Sequence, residues 1–175
     1  MDLKKYIRSI PDYPKKGILF RDITTLIKDK DAFRECIAQI SKIIMKLNFD
    51  KIASIESRGF VFASALCYNM SKSLILMRKK NKLPAEKYSQ EFELEYGKAT
   101  LEMHKDSIKP EEKVLIIDDL IATGGTSEAG GILVEKSEGI VAGFVFVINL
   151  FDLGGKNLLE KKGYKTFSLI EFPGH

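Results

Sequence analysis

Residues 114–126 have the sequence Val114-Leu-Ile-Ile-Asp-Asp-Leu-Ile-Ala-Thr-Gly-Gly-Thr126: a short apolar run, two adjacent acids and a glycine-rich turn, after which helical spacing begins. The backbone N–H groups of such a turn and of the first helical turn point into one concavity and bind an anion without a basic side chain. Asp118 and Asp119 would repel a phosphate there but suit hydroxyl groups. The stretch therefore predicts a strand, a phosphate-binding loop and a helix that bind a sugar phosphate. The alternative, an ordinary buried strand, is disfavoured because two adjacent acids at a strand end are costly unless they have a role.

Apolar residues make up 45% of the 175-residue chain, which suits a single domain spanning residues 1–175. No stretch approaches the roughly 20 apolar residues of a membrane-spanning helix, and the N-terminus lacks the apolar region of a signal peptide. We therefore expect a cytoplasmic protein with no membrane partner. The net charge of +4 is modest and no nucleic-acid-binding motif is present, so nucleic acid is not an expected partner. Cys36 and Cys67 are expected to be reduced core residues.

Strand patterns and helix patterns alternate along most of the chain. Helical spacing is found at 31–47, 60–70, 125–136 and 156–162, and buried-strand patterns are found at 51–55, 73–77, 113–117, 141–148 and 164–171. Strands that alternate with helices form right-handed parallel crossovers. The pattern therefore predicts an α/β fold with a doubly wound, mostly parallel sheet of five strands.

Two segments do not fit this alternation. Residues 1–30 contain turn signals around Pro11-Asp-Tyr-Pro14 and predict an irregular hood, in which Phe20 is either offered to a ligand or is a core anchor. Residues 88–104 alternate apolar and polar residues around a Tyr-Gly-Lys turn, which predicts a β-hairpin. We expect this ribbon to leave the sheet and to form a flexible lid over about residues 79–105.

A basic run, Arg78-Lys-Lys-Asn-Lys-Leu-Pro84, follows one of the predicted strands directly. Such a run is often only a solvated loop. At the carboxyl end of a parallel strand, however, it would lie on the edge where ligands of such sheets bind. Both interpretations stay open from the residues alone.

Several of these stretches together resemble the type I phosphoribosyltransferases, and in particular their adenine-using members. The motif at 114–126 resembles the ribose-phosphate loop of that family. The other matching motifs occur in the family's order: Pro11-Asp-Tyr-Pro, Gly17-Ile-Leu-Phe-Arg-Asp-Ile-Thr, Glu56-Ser-Arg-Gly-Phe, Arg78-Lys-Lys-Asn-Lys-Leu-Pro and Leu94-Glu-Tyr-Gly-Lys98. The resemblance covers about residues 6–160.

The resemblance implies the type I phosphoribosyltransferase fold and a reaction of purine salvage. In that reaction the 5-phosphoribosyl group of 5-phosphoribosyl-1-pyrophosphate is transferred to adenine, which gives AMP and pyrophosphate. It also implies Mg²⁺, held mainly through the donor substrate with no direct protein ligand, and an obligate homodimer.

The resemblance assigns roles to particular residues of this chain. The 5′-phosphate would be held by Ala122, Thr123, Gly124, Gly125 and Thr126. Asp118 and Asp119 would hold the ribose hydroxyls and stabilise the positive charge of an oxocarbenium-like transition state. The pyrophosphate would be bound by Glu56, Ser57, Arg58, Arg78, Lys79 and Lys82, with the Glu56–Ser57 peptide bond in the cis form.

The same resemblance places adenine between Phe20 and Leu150, with main-chain atoms of Leu19 and Arg21 at its Watson–Crick edge. The catalytic residues would be Arg58, Glu95 and Tyr96. Glu95 would manage the proton on the imidazole nitrogens of adenine; the alternative is that it only belongs to the polar face of the hairpin.

The chain departs from the family pattern at three places. Asn149 replaces a frequent acid, Asn81 replaces a common glycine, and the residues after Lys162 match no assigned motif. Two other functions remain as alternatives: transfer to hypoxanthine, xanthine or orotate, and a non-catalytic regulator that senses the phosphoribosyl donor.

Overall fold

A computed structural model describes residues 1–94 and 97–174 of the chain. The elements are β1 Arg8–Pro11, β2 Leu19–Asp22, α1 Thr24–Lys28, α2 Lys30–Ile44, β3 Lys51–Ile55, α3 Gly59–Met70, β4 Ser73–Lys79, β5 Lys87–Leu94, β6 Gly97–His104, β7 Lys113–Ile121, α4 Gly125–Lys136, β8 Ile140–Leu150, α5 Gly155–Lys161 and β9 Thr166–Phe172. In the described part of the chain, no helix has the length and apolarity needed to cross a membrane.

The main sheet has the strand order β5-β6-β4-β3-β7-β8-β9. The five strands from β4 to β9 in this order pair in parallel, which confirms the predicted doubly wound sheet. The predicted hairpin is β5–β6, and it adds two antiparallel strands at the β4 edge through the pairs Arg78–Glu102 and Lys79–Leu101. The hairpin is therefore hydrogen-bonded to the sheet at its base and does not leave it altogether.

The central strands are buried on both faces, which explains their nearly continuous apolar sequences. One face packs against α2 and α3 through residues such as Ile40 and Phe62, and the other packs against α4 through residues such as Leu133 and Phe144. Cys36 and Cys67 are free and buried in the first of these clusters. Burial raises the pKa of the Cys36 thiol to about 12, so this side chain behaves as a small apolar core residue.

The N-terminal segment contains a two-stranded antiparallel sheet that the sequence pattern did not predict. β1 pairs with β2, so that Ile10 lies opposite Phe20 and Ser9 lies opposite Arg21. Each strand is only four residues long and contains charged residues, so neither gives a detectable alternation of apolar and polar positions.

Asp22, at the end of β2, fixes the turn into α1. Its carboxylate accepts hydrogen bonds from the Thr24 hydroxyl at 2.6 Å, from the Thr24 backbone N–H at 2.9 Å and from the Arg8 guanidinium. The side-chain hydrogen bonds from Thr24 and Arg8 lower the pKa of Asp22 from 3.8 to about 2. The ionised form is therefore the one that stabilises the fold.

We expect Asp22→Asn to lower the free energy of unfolding by about 1–2 kcal/mol at pH 7. Because the folded pKa lies below the unfolded one, this contribution is complete above about pH 4 and disappears as the pH falls towards 2. Urea unfolding at a series of pH values measures the difference between the two proteins. Asp106→Asn, which removes an exposed carboxylate, is the matched control; a difference between wild type and Asp22→Asn that does not change with pH would contradict the explanation.

Candidate active site

The carboxyl ends of β3 and β7 open onto a cavity of about 550 Å³. The loop after β3, the loop after β7, the start of α4 and one face of the hairpin form its walls. This is the edge of a parallel α/β sheet at which ligands bind. The residues predicted to hold the 5′-phosphate all line the cavity: Ala122, Thr123, Gly124, Gly125 and Thr126.

The loop after β7 has the backbone geometry of an anion-binding turn. Gly124 has a φ of +91°, in the left-handed region that favours glycine, and α4 begins at the next residue. The first N–H groups of a helix have no partner within the helix. Their partial positive charge and the helix dipole favour an anion at this position.

Gly155, at the start of α5, packs against this loop, and this contact was not predicted from the sequence. Its backbone N–H donates to the carbonyl oxygen of Ala122 at 3.0 Å. A Cβ at Gly155 would overlap that carbonyl oxygen and would lie 2.7 Å from the backbone nitrogen of Gly124. The phosphate loop and the start of α5 can therefore pack this closely only because position 155 has no side chain.

The two predicted ribose-binding acids differ in their surroundings. Asp119 is 7% exposed and accepts a hydrogen bond from Arg58 Nε at 2.6 Å. Asp118 Oδ1 accepts only the backbone N–H of Asp119, at 2.9 Å, and forms no salt bridge with any described residue. Burial, together with the neighbouring Asp119 carboxylate, raises the pKa of Asp118 well above its usual value.

Close packing keeps Asp118 in this position. A Cβ at Gly59 would lie 2.5 Å from Asp118 Oδ1 and 2.7 Å from the hydroxyl oxygen of Ser54. The predicted Glu56-Ser-Arg-Gly turn therefore ends in a glycine because the β7 carboxylate occupies the adjacent space. This role of Gly59 was not predicted from the sequence.

The Glu56–Ser57 peptide bond is cis, as the resemblance implied. Both residues and Arg58 line the cavity, as does Lys79. Four of the six residues proposed for pyrophosphate thus lie together at its wall.

Arg78 and Lys82, the other two, do not line the cavity but face Glu56. Lys82 Nζ lies 2.8 Å from one carboxylate oxygen of Glu56, and Arg78 Nε lies 3.5 Å from the other. Although burial opposes ionisation, the hydrogen bonds from Lys82 and from the Lys79 backbone N–H keep the pKa of Glu56 below its usual value. In this structure the single negative charge of Glu56 therefore offsets part of the positive charge of the basic run.

The residues proposed for the base do not line this cavity. The Arg58 guanidinium carbon is 5.5 Å from the centre of the Phe20 ring, so Arg58 connects Phe20 with Asp119. The Arg21 side chain is buried, and Leu150, at the end of β8, is 8% exposed. Leu19 precedes Phe20 on β2 and is half-buried.

The hairpin contributes apolar residues that were not among the predicted site residues: Phe92, Leu94, Ala99 and Leu101. β5 also lies close to the start of α4: a Cβ at Gly125 would be 3.3 Å from the carbonyl oxygen of Glu93. The alternating apolar residues were visible in the sequence, but only the packing shows that they face the phosphate loop. Glu95 and Tyr96, which were predicted to be catalytic, lie outside the described residues.

The described residues offer few protein ligands for a divalent metal at this site. Within residues 1–94 and 97–174, no group of three or more His, Cys, Asp or Glu side chains could hold a metal ion. The cavity does contain two adjacent carboxylates, Asp118 and Asp119, next to the phosphate loop. Such hard oxygen ligands suit Mg²⁺ when phosphate oxygens and water complete its coordination.

The chain is similar to known proteins over its whole length. A family model described as the phosphoribosyl transferase domain matches residues 23–173. The adenine phosphoribosyltransferase of Pelagibacter ubique is 68% identical over 175 residues, which is 100% of both chains. The crystal structure of adenine phosphoribosyltransferase from Thermoanaerobacter pseudethanolicus has a TM-score of 0.94 and 46% identity, covering 98% of each chain.

A second solved structure is the Saccharomyces cerevisiae adenine phosphoribosyltransferase in complex with an imino-altritol bisphosphate and adenine. It has a TM-score of 0.88 and 32% identity, covering 96% of each chain. Identity at these levels, over nearly complete chains, establishes the family. This chain belongs to the phosphoribosyl transferase family and, within it, to the adenine phosphoribosyltransferases.

Proposed function

We propose that the chain transfers the 5-phosphoribosyl group from 5-phosphoribosyl-1-pyrophosphate to adenine, giving AMP and pyrophosphate, and so serves purine salvage. The observation that carries this proposal is one cavity in which the phosphate loop lies beside the acid pair Asp118–Asp119. The 68% identity to an adenine phosphoribosyltransferase supports adenine as the acceptor.

The test is the formation of AMP from adenine and the phosphoribosyl donor, followed spectrophotometrically with and without Mg²⁺. Hypoxanthine, xanthine and orotate are assayed in parallel as acceptors. Turnover of adenine alone is the expected result, and equal turnover of hypoxanthine would overturn the assignment. Absence of turnover with every base, together with tight binding of the donor, would instead indicate a regulator.

The residues of the cavity can divide the chemistry between them. The N–H groups and hydroxyls at 122–126 hold the 5′-phosphate, and the two acids hold the ribose hydroxyls. Displacement at the anomeric carbon develops positive charge on the sugar, which the carboxylates of Asp118 and Asp119 stabilise. Mg²⁺, when bound with the donor, neutralises charge on the pyrophosphate leaving group. Arg58 and Lys79 are the cavity cations placed to bind that group.

The base site is proposed between Phe20 and Leu150. Main-chain atoms of Leu19 and Arg21 would contact the Watson–Crick edge of adenine. A backbone carbonyl accepts a hydrogen bond from the 6-amino group, whereas a 6-oxo purine would place a second acceptor opposite it. Arg58, which contacts Phe20 and Asp119, would connect the base and ribose parts of the site.

Glu95 is proposed to act on the proton of the imidazole nitrogens as N9 of adenine attacks, with Tyr96 beside it on the lid. We expect Glu95→Gln to lower kcat by about tenfold or more, because general acid–base groups contribute about 10²–10⁴ to rates. Steady-state turnover at saturating adenine and donor measures the effect. Glu91→Gln, on the exposed face of β5, is the matched control; a smaller loss in Glu95→Gln would contradict the acid–base role of Glu95.

We further propose a cytoplasmic homodimer formed by one domain, residues 1–175, with a hood of about 1–30 and a lid of about 79–105. Exposed apolar side chains on α3 and β4 support a second subunit at that surface. Tyr68 is 88% exposed, and Val61 and Leu76 are about two-fifths exposed. Burial of exposed apolar side chains is a common reason for association. Sedimentation of the wild type and of Tyr68→Glu checks this, and only the wild type should be dimeric.

A further inference from the structure

The guanidinium of Arg21 is buried without a carboxylate partner. The residue is 7% exposed, and it forms no salt bridge with any residue that the structure describes. Its Nη1 donates to the hydroxyl of Ser9, which lies opposite it on β1. Its Nε is buried with no hydrogen-bond partner in the structure. Burying a cation costs free energy unless it is paired or hydrogen-bonded. The remaining contacts of the Arg21 guanidinium come from one short segment.

That segment is Phe172–Gly174, which begins with the last residue of β9. The guanidinium carbon of Arg21 lies 4.4 Å from the centre of the Phe172 ring, and Nη2 donates to the carbonyl oxygen of Pro173 at 3.1 Å. The planar guanidinium is suited to this combination, because it stacks on an aromatic face while its N–H groups point outward in its plane. A lysine could not make both contacts in the same way.

The same segment is attached to the opposite side of the proposed base site. Phe172 lies beside Leu150 in the register of β8 and β9. The backbone N–H of Gly174 donates to Asp152 Oδ1 at 2.6 Å, two residues after Leu150. Arg21 is the neighbour of Phe20 on β2. The segment 172–174 thus contacts the strand that carries Phe20 and also the strand end that carries Leu150.

We propose that Phe172–Gly174 is a clamp that sets the spacing of the adenine site, by holding β2 to the end of β8 through the Arg21 side chain. This inference rests on the proposed function, since it takes adenine to bind between Phe20 and Leu150. The Arg21 side chain then acts as a positioning group for its own backbone and for Phe20. It has no part in binding the donor, whose phosphate loop and acids lie on β7 and α4.

The test is the steady-state KM for adenine and for the donor in Arg21→Lys, in Phe172→Leu and in the double variant. We expect each single variant to raise the adenine KM about fivefold and the donor KM less than about twofold, because small displacements of a positioning element have large effects on the group it positions. The double variant should resemble the more affected single variant, since both changes disturb the contact between Arg21 and Phe172. Parallel rises in both KM values, an unchanged adenine KM, or multiplied effects in the double variant would overturn the clamp.

Asp152→Ala keeps the test decisive if a core substitution prevents folding. Asp152 is exposed, so its removal frees Gly174 without a cavity, and about a twofold rise restricted to the adenine KM is expected; no change would count against the clamp. Arg34→Lys, an exposed arginine on α2, is the matched control and should behave as wild type. If the wild type fails to use adenine, the proposed function is wrong; if it uses adenine and the variants show no adenine-specific effect, only the clamp is wrong.

Discussion

Asp118→Asn is expected to be more stable than the wild type and about a hundredfold less active. Asp118 is an acid whose pKa is raised by burial and by the adjacent Asp119 carboxylate, so its ionised form destabilises the empty protein. Asparagine removes this charge, and its side-chain oxygen can still accept the Asp119 N–H that Asp118 now accepts at 2.9 Å. We expect a rise in melting temperature of about 2–4 °C at pH 7, which corresponds to about 1 kcal/mol in a chain of this length.

The loss of activity has a separate cause. A carboxylate that binds a sugar hydroxyl and faces a developing cation contributes about 2–3 kcal/mol through a charged hydrogen bond, or about a hundredfold in rate. Asparagine can hold the hydroxyl but cannot stabilise the cation. The reduction should therefore be seen mainly in kcat, measured with saturating adenine, donor and Mg²⁺.

The pH dependence separates this explanation from a general effect of the substitution. The folded pKa of Asp118 is raised, so below its unfolded value of 3.8 the two proteins carry the same charge at this position. As the pH rises above about 4, the wild type loses stability relative to Asp118→Asn until the folded carboxyl has ionised. Thermal unfolding between pH 4 and pH 8 should show that the difference in melting temperature between the two proteins increases with pH.

The control for stability is Asp31→Asn, in the exposed first turn of α2. The helix dipole favours a negative charge there, so asparagine should lower the melting temperature slightly. A wild type that is more stable than Asp118→Asn at pH 7 would show that Asp118 is ionised and well solvated in the empty site.

These expectations depend on details that the sequence could give only in part. The apolar run at 114–117 predicted β7, and the adjacent acids and glycines predicted the site at its carboxyl end. The strand, however, continues through Asp118 and Asp119 to Ile121, because β8 pairs with it as far as Asn149. Local sequence disfavours acids in a strand, and only the pairing partner reveals that the backbone stays extended there.

The basic run at 78–84 shows a second reason why the site could be predicted only in part. The run was predicted to follow a strand at 73–77, and in the structure its first two residues, Arg78 and Lys79, are the last residues of β4. The ion pairs of Glu56 with Arg78 and Lys82 could not be predicted, because these residues are more than twenty positions apart in the sequence. Arg21 and Pro173, which are hydrogen-bonded, are 152 positions apart in the sequence, and neither stretch has a pattern that predicts the contact.

Gly155→Ala is the substitution expected to damage the phosphate site most without touching a ligand. The added Cβ would meet two backbone atoms, the carbonyl oxygen of Ala122 and the nitrogen of Gly124, so no side-chain rotation can relieve the overlap. The phosphate loop must therefore shift away from α5. A displacement of about 1 Å in a positioning element can reduce activity about a hundredfold, and we expect that loss in kcat/KM for the donor.

Gly154→Ala separates the displacement of the loop from a loss of stability. Gly154 has a φ of +77° but no atom within 4 Å of an added Cβ, so alanine there is strained by about 1–2 kcal/mol without pushing on the loop. Both variants should melt at lower temperature than the wild type, because overpacking at Gly155 costs about 1–3 kcal/mol. Only Gly155→Ala should lose affinity for the donor, and isothermal titration with the donor and Mg²⁺ would show this directly. Equal donor affinity in the two variants would mean that the loop tolerates the shift, and that the close contact of Gly155 with Ala122 serves packing alone.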